Sequence, residues 1–166
     1  MKYLIVIIFF FFNLSSIAYS SNIVYIDMNF ILSNSNHGKL ILKELENKNK
    51  TNIKELESKE KILKDLEKKI TNQKNILSKE DLEKKINDLK KKIVIFNEDK
   101  DKLSKEFNII KNKRIDDFMK NMEPLVSDYI KDNSINIVLD KKNVIMGKKE
   151  QDITFIILEI VNNSIK

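Results

Sequence analysis

The sequence predicts an α+β chain, mostly α: a small β-strand body carrying a long antiparallel helical-hairpin (coiled-coil) arm. Three observations predict it. Apolar residues recur at alternating steps of four and three from Leu82 through Ile86, Leu89, Ile93, Phe96, Leu103 and Phe107 to Ile110, with only Lys100 interrupting them. A seam sustained over four heptads is that of a coiled-coil helix. A weaker seam precedes it, through Leu42, Leu45, Asn49, Asn52, Leu56, Lys59, Leu63, Leu66, Ile70, Gln73 and Leu77. Two single-stripe helices in succession bury their stripes by folding back on each other. Finally, short β-branched runs at 23–28 and 135–140 flank the helical region, so the body is drawn from both ends of the chain.

Taken in order, the chain opens with Lys2 and ten apolar residues at 3–12, then Ala18-Tyr19-Ser20 places small residues before a cut at Ser21. That pattern is a secretory signal peptide over 1–20. The alternative, an uncleaved anchor, has to draw in residues 14–19, and the apolar run alone falls short of the ~20 residues that span a bilayer. Residues 23–28 read as a buried strand and 29–34 as a short helix carrying Phe30, Ile31 and Leu32. Polar residues 33–36, His37 and Gly38 then punctuate the chain. The first arm helix runs from Lys39 to about Asn75 and reaches roughly 55–60 Å at the helical rise. The tip lies near 75–79, where Ser78 is an N-cap with Glu80 and Asp81 in the first turn. Pro124, the only proline, predicts a kink or break and marks the joint of arm and body. Beyond it Leu125, Val126, Tyr129 and Ile130 form a fresh stripe. After the strand at 135–140, Lys141-Lys142 reads as a turn into a hairpin-paired third strand at 143–147. Asp152 or Thr154 caps a last helix whose face includes Phe155, Ile156, Leu158, Ile160 and Val161. The organisation is then leader 1–20, first part of the body 21–37, arm 38–123 and second part of the body 124–166.

The formal net charge is +6, and +5 without the leader, in which Lys2 is the only charge. Arg114 is the sole arginine, so the basic balance is made of hydrated, mobile lysines. These suit diffuse attraction to acidic partners better than planar recognition of an anion; an AT-rich genome, which would raise Lys, Asn and Ile together, is the competing source of the same balance. There is no cysteine, so an exported chain has to be held by packing or by self-association. A body of roughly 60 residues is marginal alone, and its short strands leave open edges. Both point to a homo-oligomer, with Ile23, Val24, Ile26, Ile137 and Leu139 as candidate residues of the oligomeric body.

The chemistry of catalysis is missing from the pattern. The two glycines, Gly38 and Gly147, are too far apart for a phosphate-binding loop. One histidine and no cysteine give no zinc set, and His37 has no nucleophile context. No catalytic, cofactor-binding or metal residue is assigned. His37 reads as an exposed loop residue, and Asp27 as the cap of the short helix. Acids and lysines alternate along the arm as on a solvated helix face. The densest basic cluster, Lys84, Lys85, Lys90, Lys91 and Lys92, is either such a face or a surface that attracts acidic chains. Exposed aromatics interleaved with arginine are absent, so nucleic acid is not an expected partner.

The opening Ile23-Val24-Tyr25-Ile26-Asp27-Met28, then a short helix and Gly38-Lys39, form a recognisable sequence of parts. The charged hairpin with Leu77-Ser78 near its turn, Pro124-Leu125, Val138-Leu139-Asp140 and Asp152-Ile153-Thr154 continue it. This order resembles the Skp (OmpH-like) family of periplasmic chaperones over essentially the whole mature chain. The resemblance implies a homotrimer whose strands form a small β-barrel body. It also implies three arms that enclose unfolded outer-membrane β-barrel proteins without ATP, in the periplasm and without enzymatic activity. The five clustered lysines are then candidate client-binding residues. No lipopolysaccharide-binding set is matched here, and the last helix is unusually apolar. Two readings compete: a periplasmic coiled-coil spacer or adaptor, and a binder of anionic envelope polymers or membrane surfaces.

Overall fold

The computed structural model describes residues 22–165, so the leader read at 1–20 lies outside the described residues. The elements are β1 (Ile23–Ile26), α1 (Met28–Asn34), α2 (Asn36–Gln73), α3 (Lys79–Asp132), β2 (Ile137–Asp140) and α4 (Thr154–Ser164). Two short 3-10 turns, Lys141–Asn143 and Lys149–Gln151, separate β2 from α4. The α+β class, dominated by helix, is as expected.

β1 is shorter than the expected strand because Asp27 leaves it. Its carboxylate accepts from the Phe30 amide at 2.9 Å, which starts α1 at Met28. Ser35 both ends α1 and starts α2. Its amide donates to the Ile31 carbonyl at 2.8 Å, and its hydroxyl accepts from the Gly38 amide at 3.1 Å. The arm helix therefore begins at Asn36, three residues before the expected Lys39. Gly38 lies inside this first turn, where a Cβ would collide with the Leu32 carbonyl, so the tight α1–α2 corner requires glycine.

The strands pair in parallel, Ile23 opposite Ile137 through Ile26 opposite Asp140. Parallel pairing needs a crossover, and here the whole arm is the crossover. The other edge of β1 is met by an isolated bridge from Tyr25 to Asp152, where the Ile153 amide donates to the Tyr25 carbonyl at 3.1 Å. The expected third strand at 143–147 does not form. Asp140 accepts from the Lys142 amide at 3.1 Å and turns the chain into a 3-10 turn. Gly147 is then packed against the Tyr25 ring, while Ile145 is 96% exposed.

Val24, Ile26, Ile31, Ile135, Ile153, Ile157 and Val161 build the core together with Ile41 and Leu45 from the base of α2 and Phe118 and Met122 from α3. On α4 the buried residues are Thr154, Ile157 and Val161. Phe155 and Ile156, expected on the inner face, are exposed, and Phe155 instead meets Phe30 edge-on with centroids 5.2 Å apart. α3 runs unbroken through Pro124; of the kink or break that the proline predicts, the break does not occur. It ends eight residues later, at Asp132, in a Schellman turn, in which the Ile135 amide donates to the Ile130 carbonyl and the Ser134 amide to that of Lys131. Ser134 takes the left-handed position of that turn, at φ 51°.

Candidate functional site

Two surfaces are open for function: the arm, and the face of the body around β2. The arm consists of α2 and α3 joined through a turn that ends at Ser78, the N-cap of α3. The Ser78 hydroxyl accepts from the Asp81 amide at 3.1 Å, as its N-cap role requires. Three cross-arm contacts fix the register: Glu44 to Arg114 at 2.7 Å, Lys59 to Asp99 at 2.7 Å, and Lys85 to the Gln73 side-chain oxygen at 2.8 Å. From Glu44 to Lys59 to Gln73 the steps along α2 are matched by equal steps back along α3. The helices thus stay in register from base to tip.

This register decides which residues form the seam. Ile41 rather than Leu42 is buried at the base, and Asn49 faces solvent. Midway, Asp99 rather than Lys100 turns inward to Lys59, and the Lys59 ammonium is held above the usual lysine range by its hydrogen bonds to Asp99 and then Glu55. Asn52 is also buried, so the middle of the arm has a polar layer where the base has an apolar one of Ile41 and Leu45. His37 is not an exposed loop residue. It lies in the first turn of α2, half-buried, with its ring stacked on Phe118 at 6.2 Å and Nδ1 buried without a hydrogen-bond partner.

The five clustered lysines do not share one surface. Lys85, Lys91 and Lys92 line a groove of about 490 Å³ between α2 and α3 near the tip, and Lys69 of α2 joins them. Lys84 and Lys90 are exposed and do not line it. Lys69 was missed because its groove partners lie across the turn, and only the cross-arm register brings them together.

On the body, Val24 and Ile26 are buried in the protomer's own core and Ile23 is half-buried. Ile137 and Leu139 point the other way and remain 46% and 42% exposed. Beside them a groove of about 560 Å³ runs between β2 and α3, with Met119, Val126, Ile130, Val138 and Leu139 on its walls. The far edge of β2 has no strand partner among the described residues. Among those residues there is also no group of histidine, cysteine, aspartate or glutamate placed to hold a metal.

A small mixed body with a two-helix arm inserted between its parallel strands defines the class of the protein. The family model described as "Outer membrane protein (OmpH-like)" matches residues 22–161, and the chain belongs to the OmpH-like family. A crystal structure of a candidate outer membrane chaperone (OmpH-like) from Caulobacter crescentus CB15 superposes with a TM-score of 0.77. It is 16% identical, and the match covers 87% of this chain and 86% of that one. At that identity the likeness establishes the fold. The curated proteins contain no match to the chain.

Proposed function

We propose that the protein is an ATP-independent periplasmic holdase of the Skp kind, which captures unfolded outer-membrane β-barrel proteins between the arms of a homotrimer. Membership of the OmpH-like family supports the class. The observation that carries the mechanism is the arm itself. Helices of 38 and 54 residues leave a small body and pair mainly with each other, which at ~1.5 Å per residue projects a wall roughly 55 Å long into solvent. Isolated isoleucines such as Ile53, Ile62 and Ile109 are exposed along it among lysines. That surface suits many weak contacts to an extended acidic chain, each screened by salt and worth little alone. Several arms around one space multiply such contacts.

The homotrimer is supported by the exposed Ile137 and Leu139, the adjoining apolar groove and the unpartnered edge of β2. A periplasmic setting is supported by the family and by the leader pattern at 1–20. No catalytic step is part of this reading.

The test is dilution of a urea-unfolded β-barrel membrane protein into buffer with or without the purified mature chain and without nucleotide. Light scattering should stay near baseline at a stoichiometric excess of the chain. Unchanged aggregation, with a single folded partner recovered instead, would favour the spacer reading. Binding to anionic vesicles without any effect on the client would favour the envelope-surface reading.

A further inference from the structure

We propose that the groove between α2 and α3 near the arm tip is an anchoring site for peptide segments in which an apolar side chain is flanked by carboxylates. The proposal rests on the client-capture reading and names where on the arm, and by what chemistry, a client is held.

The groove exists because the seam fails there. Ile41 and Leu45 at the base of the arm are buried, whereas Leu66, Ile70 and Leu89 near the tip are only half-buried. Ile86 and Ile93, which the heptads place in the seam, are 37% and 41% exposed. Leu66, Ile70 and Leu89 are left as an apolar floor, and about 490 Å³ above them is unfilled. That space accommodates one or two large side chains.

The charge around this floor is one-sided. Lys69, Lys85, Lys91 and Lys92 line the groove against a single acid, Asp88. None of the four forms an ion pair among the described residues; Lys85 spends its hydrogen bond on the neutral Gln73 amide oxygen. Elsewhere on the arm Lys50 pairs with Glu46, Lys59 with Glu55 and Asp99, and Lys64 with Glu60. Other arm lysines are also without an ion pair among the described residues, and what sets this groove apart is four of them around one apolar floor. The second apolar groove of the arm, beside Leu56 and Phe96, has Glu57 and Glu60 against Lys100 and offers no such field. An apolar floor inside unneutralised like charges is completed by a partner that brings both an apolar group and negative charge.

The placement of the lysines selects a peptide over an anionic amphiphile. Along α3, Lys85 lies on the tip side of Leu89 and Lys91 and Lys92 on the base side. A headgroup with its charge at one end satisfies one side, whereas carboxylates before and after an apolar residue satisfy both.

The probe is a fluorescein-labelled peptide, Asp-Asp-Phe-Leu-Asp-Asp, read by anisotropy on the full mature chain at low salt. A peptide with glycines in place of Phe-Leu and anionic phosphatidylglycerol vesicles serve as the other arms. Lys69→Glu with Lys92→Glu should weaken the peptide by about tenfold or more. Lys84→Glu with Lys90→Glu, the same charge change off the groove, should stay within about twofold. The glycine peptide should bind several-fold more weakly. Equal losses in the two double variants would overturn the site and leave only diffuse attraction. So would vesicle binding that depends on Lys69 and Lys92 while the peptide does not bind. Circular dichroism of each variant checks that the arm stays helical, and an unfolded variant is replaced by Lys69→Gln with Lys92→Gln. Aggregation suppression by the wild type, measured in the same series, judges the chaperone reading separately from the peptide result.

Discussion

Asp152 ties three parts of the body together. Its carboxylate accepts from the Thr154 amide at 3.1 Å and from the Thr154 hydroxyl, and pairs with Lys141 at 2.8 Å. The Thr154 hydroxyl in turn accepts from the Asp27 amide at 2.9 Å, which links the start of α4 to the end of β1. Burial pushes the Asp152 carboxyl up, but the hydrogen bonds from Lys141 and Thr154 outweigh it, and the acid is held below the usual carboxylate range. A group depressed on folding contributes stability that is full above its unfolded value, about 4, and is lost as pH falls through the folded value. Thermal unfolding should therefore worsen on acidification below about pH 4, and Asp152→Asn should flatten part of that slope. An unaltered slope in the variant would remove Asp152 from the account. The sequence reading of Asp152 or Thr154 as the cap of α4 is off by one residue. Ile153 holds the N-cap position without a side-chain bond and Thr154 is the first helical residue, while Asp152 holds the Thr154 amide from just outside the helix. The contact with Asp27 was not legible, because it joins residues more than a hundred positions apart.

At the scale of elements, the arm was legible because heptads repeat, and the body less so because its strands are four residues long. Heptad reading left errors of one residue, Leu42 for Ile41 and Lys100 for Asp99. Adjacent positions compete for the same seam, and only the partner helix chooses between them. The third strand failed for a local reason: the Asp140 side chain captured the following backbone before it could return along the sheet. Matched register makes a prediction about arm length. Deleting 52–72 together with 86–106 removes 21 residues from each helix and spares the Gln73–Lys85 contact at the tip. The shortened chain should keep its body, seen as an unchanged oligomer size, and lose capture of large clients. Deleting 52–72 alone should leave apolar residues of α3 without a partner and lower helicity or solubility. Full client capture by the matched deletion would move the binding site from the arm to the body.

For the whole molecule, the proposed assembly places its contacts on the exposed β2 face. The sequence marked Ile137 and Leu139 together with Val24 and Ile26 as residues of an oligomeric body, but the fold divides them between the protomer's interior and its surface. Alternation along two short strands carries no information about which face is covered by the same chain. Leu139→Asp should therefore spare the protomer, whose core it does not enter, and dissociate the assembly, because a carboxylate buried unpaired at an interface costs several kcal/mol. Light scattering with circular dichroism checks both halves. An intact oligomer in the variant, or a monomeric wild type, would contradict the proposed assembly.

The parallel pairing of β1 with β2 also bears on the order in which the chain folds. Roughly 110 residues separate Ile26 from Ile137, and closing a flexible loop of that length costs about 4 kcal/mol in chain entropy. The helices of the arm gain their contacts from neighbours near the turn, and such local contacts form fastest. Once Gln73–Lys85, Lys59–Asp99 and Glu44–Arg114 have closed in succession, the span between the strands falls from roughly 110 residues to 17 before Glu44 and 22 after Arg114, most of them in helix. Chain entropy thus favours a hairpin that closes as a zipper with the sheet as its last tooth, the body gaining its strand pairing after the part that reaches furthest from it.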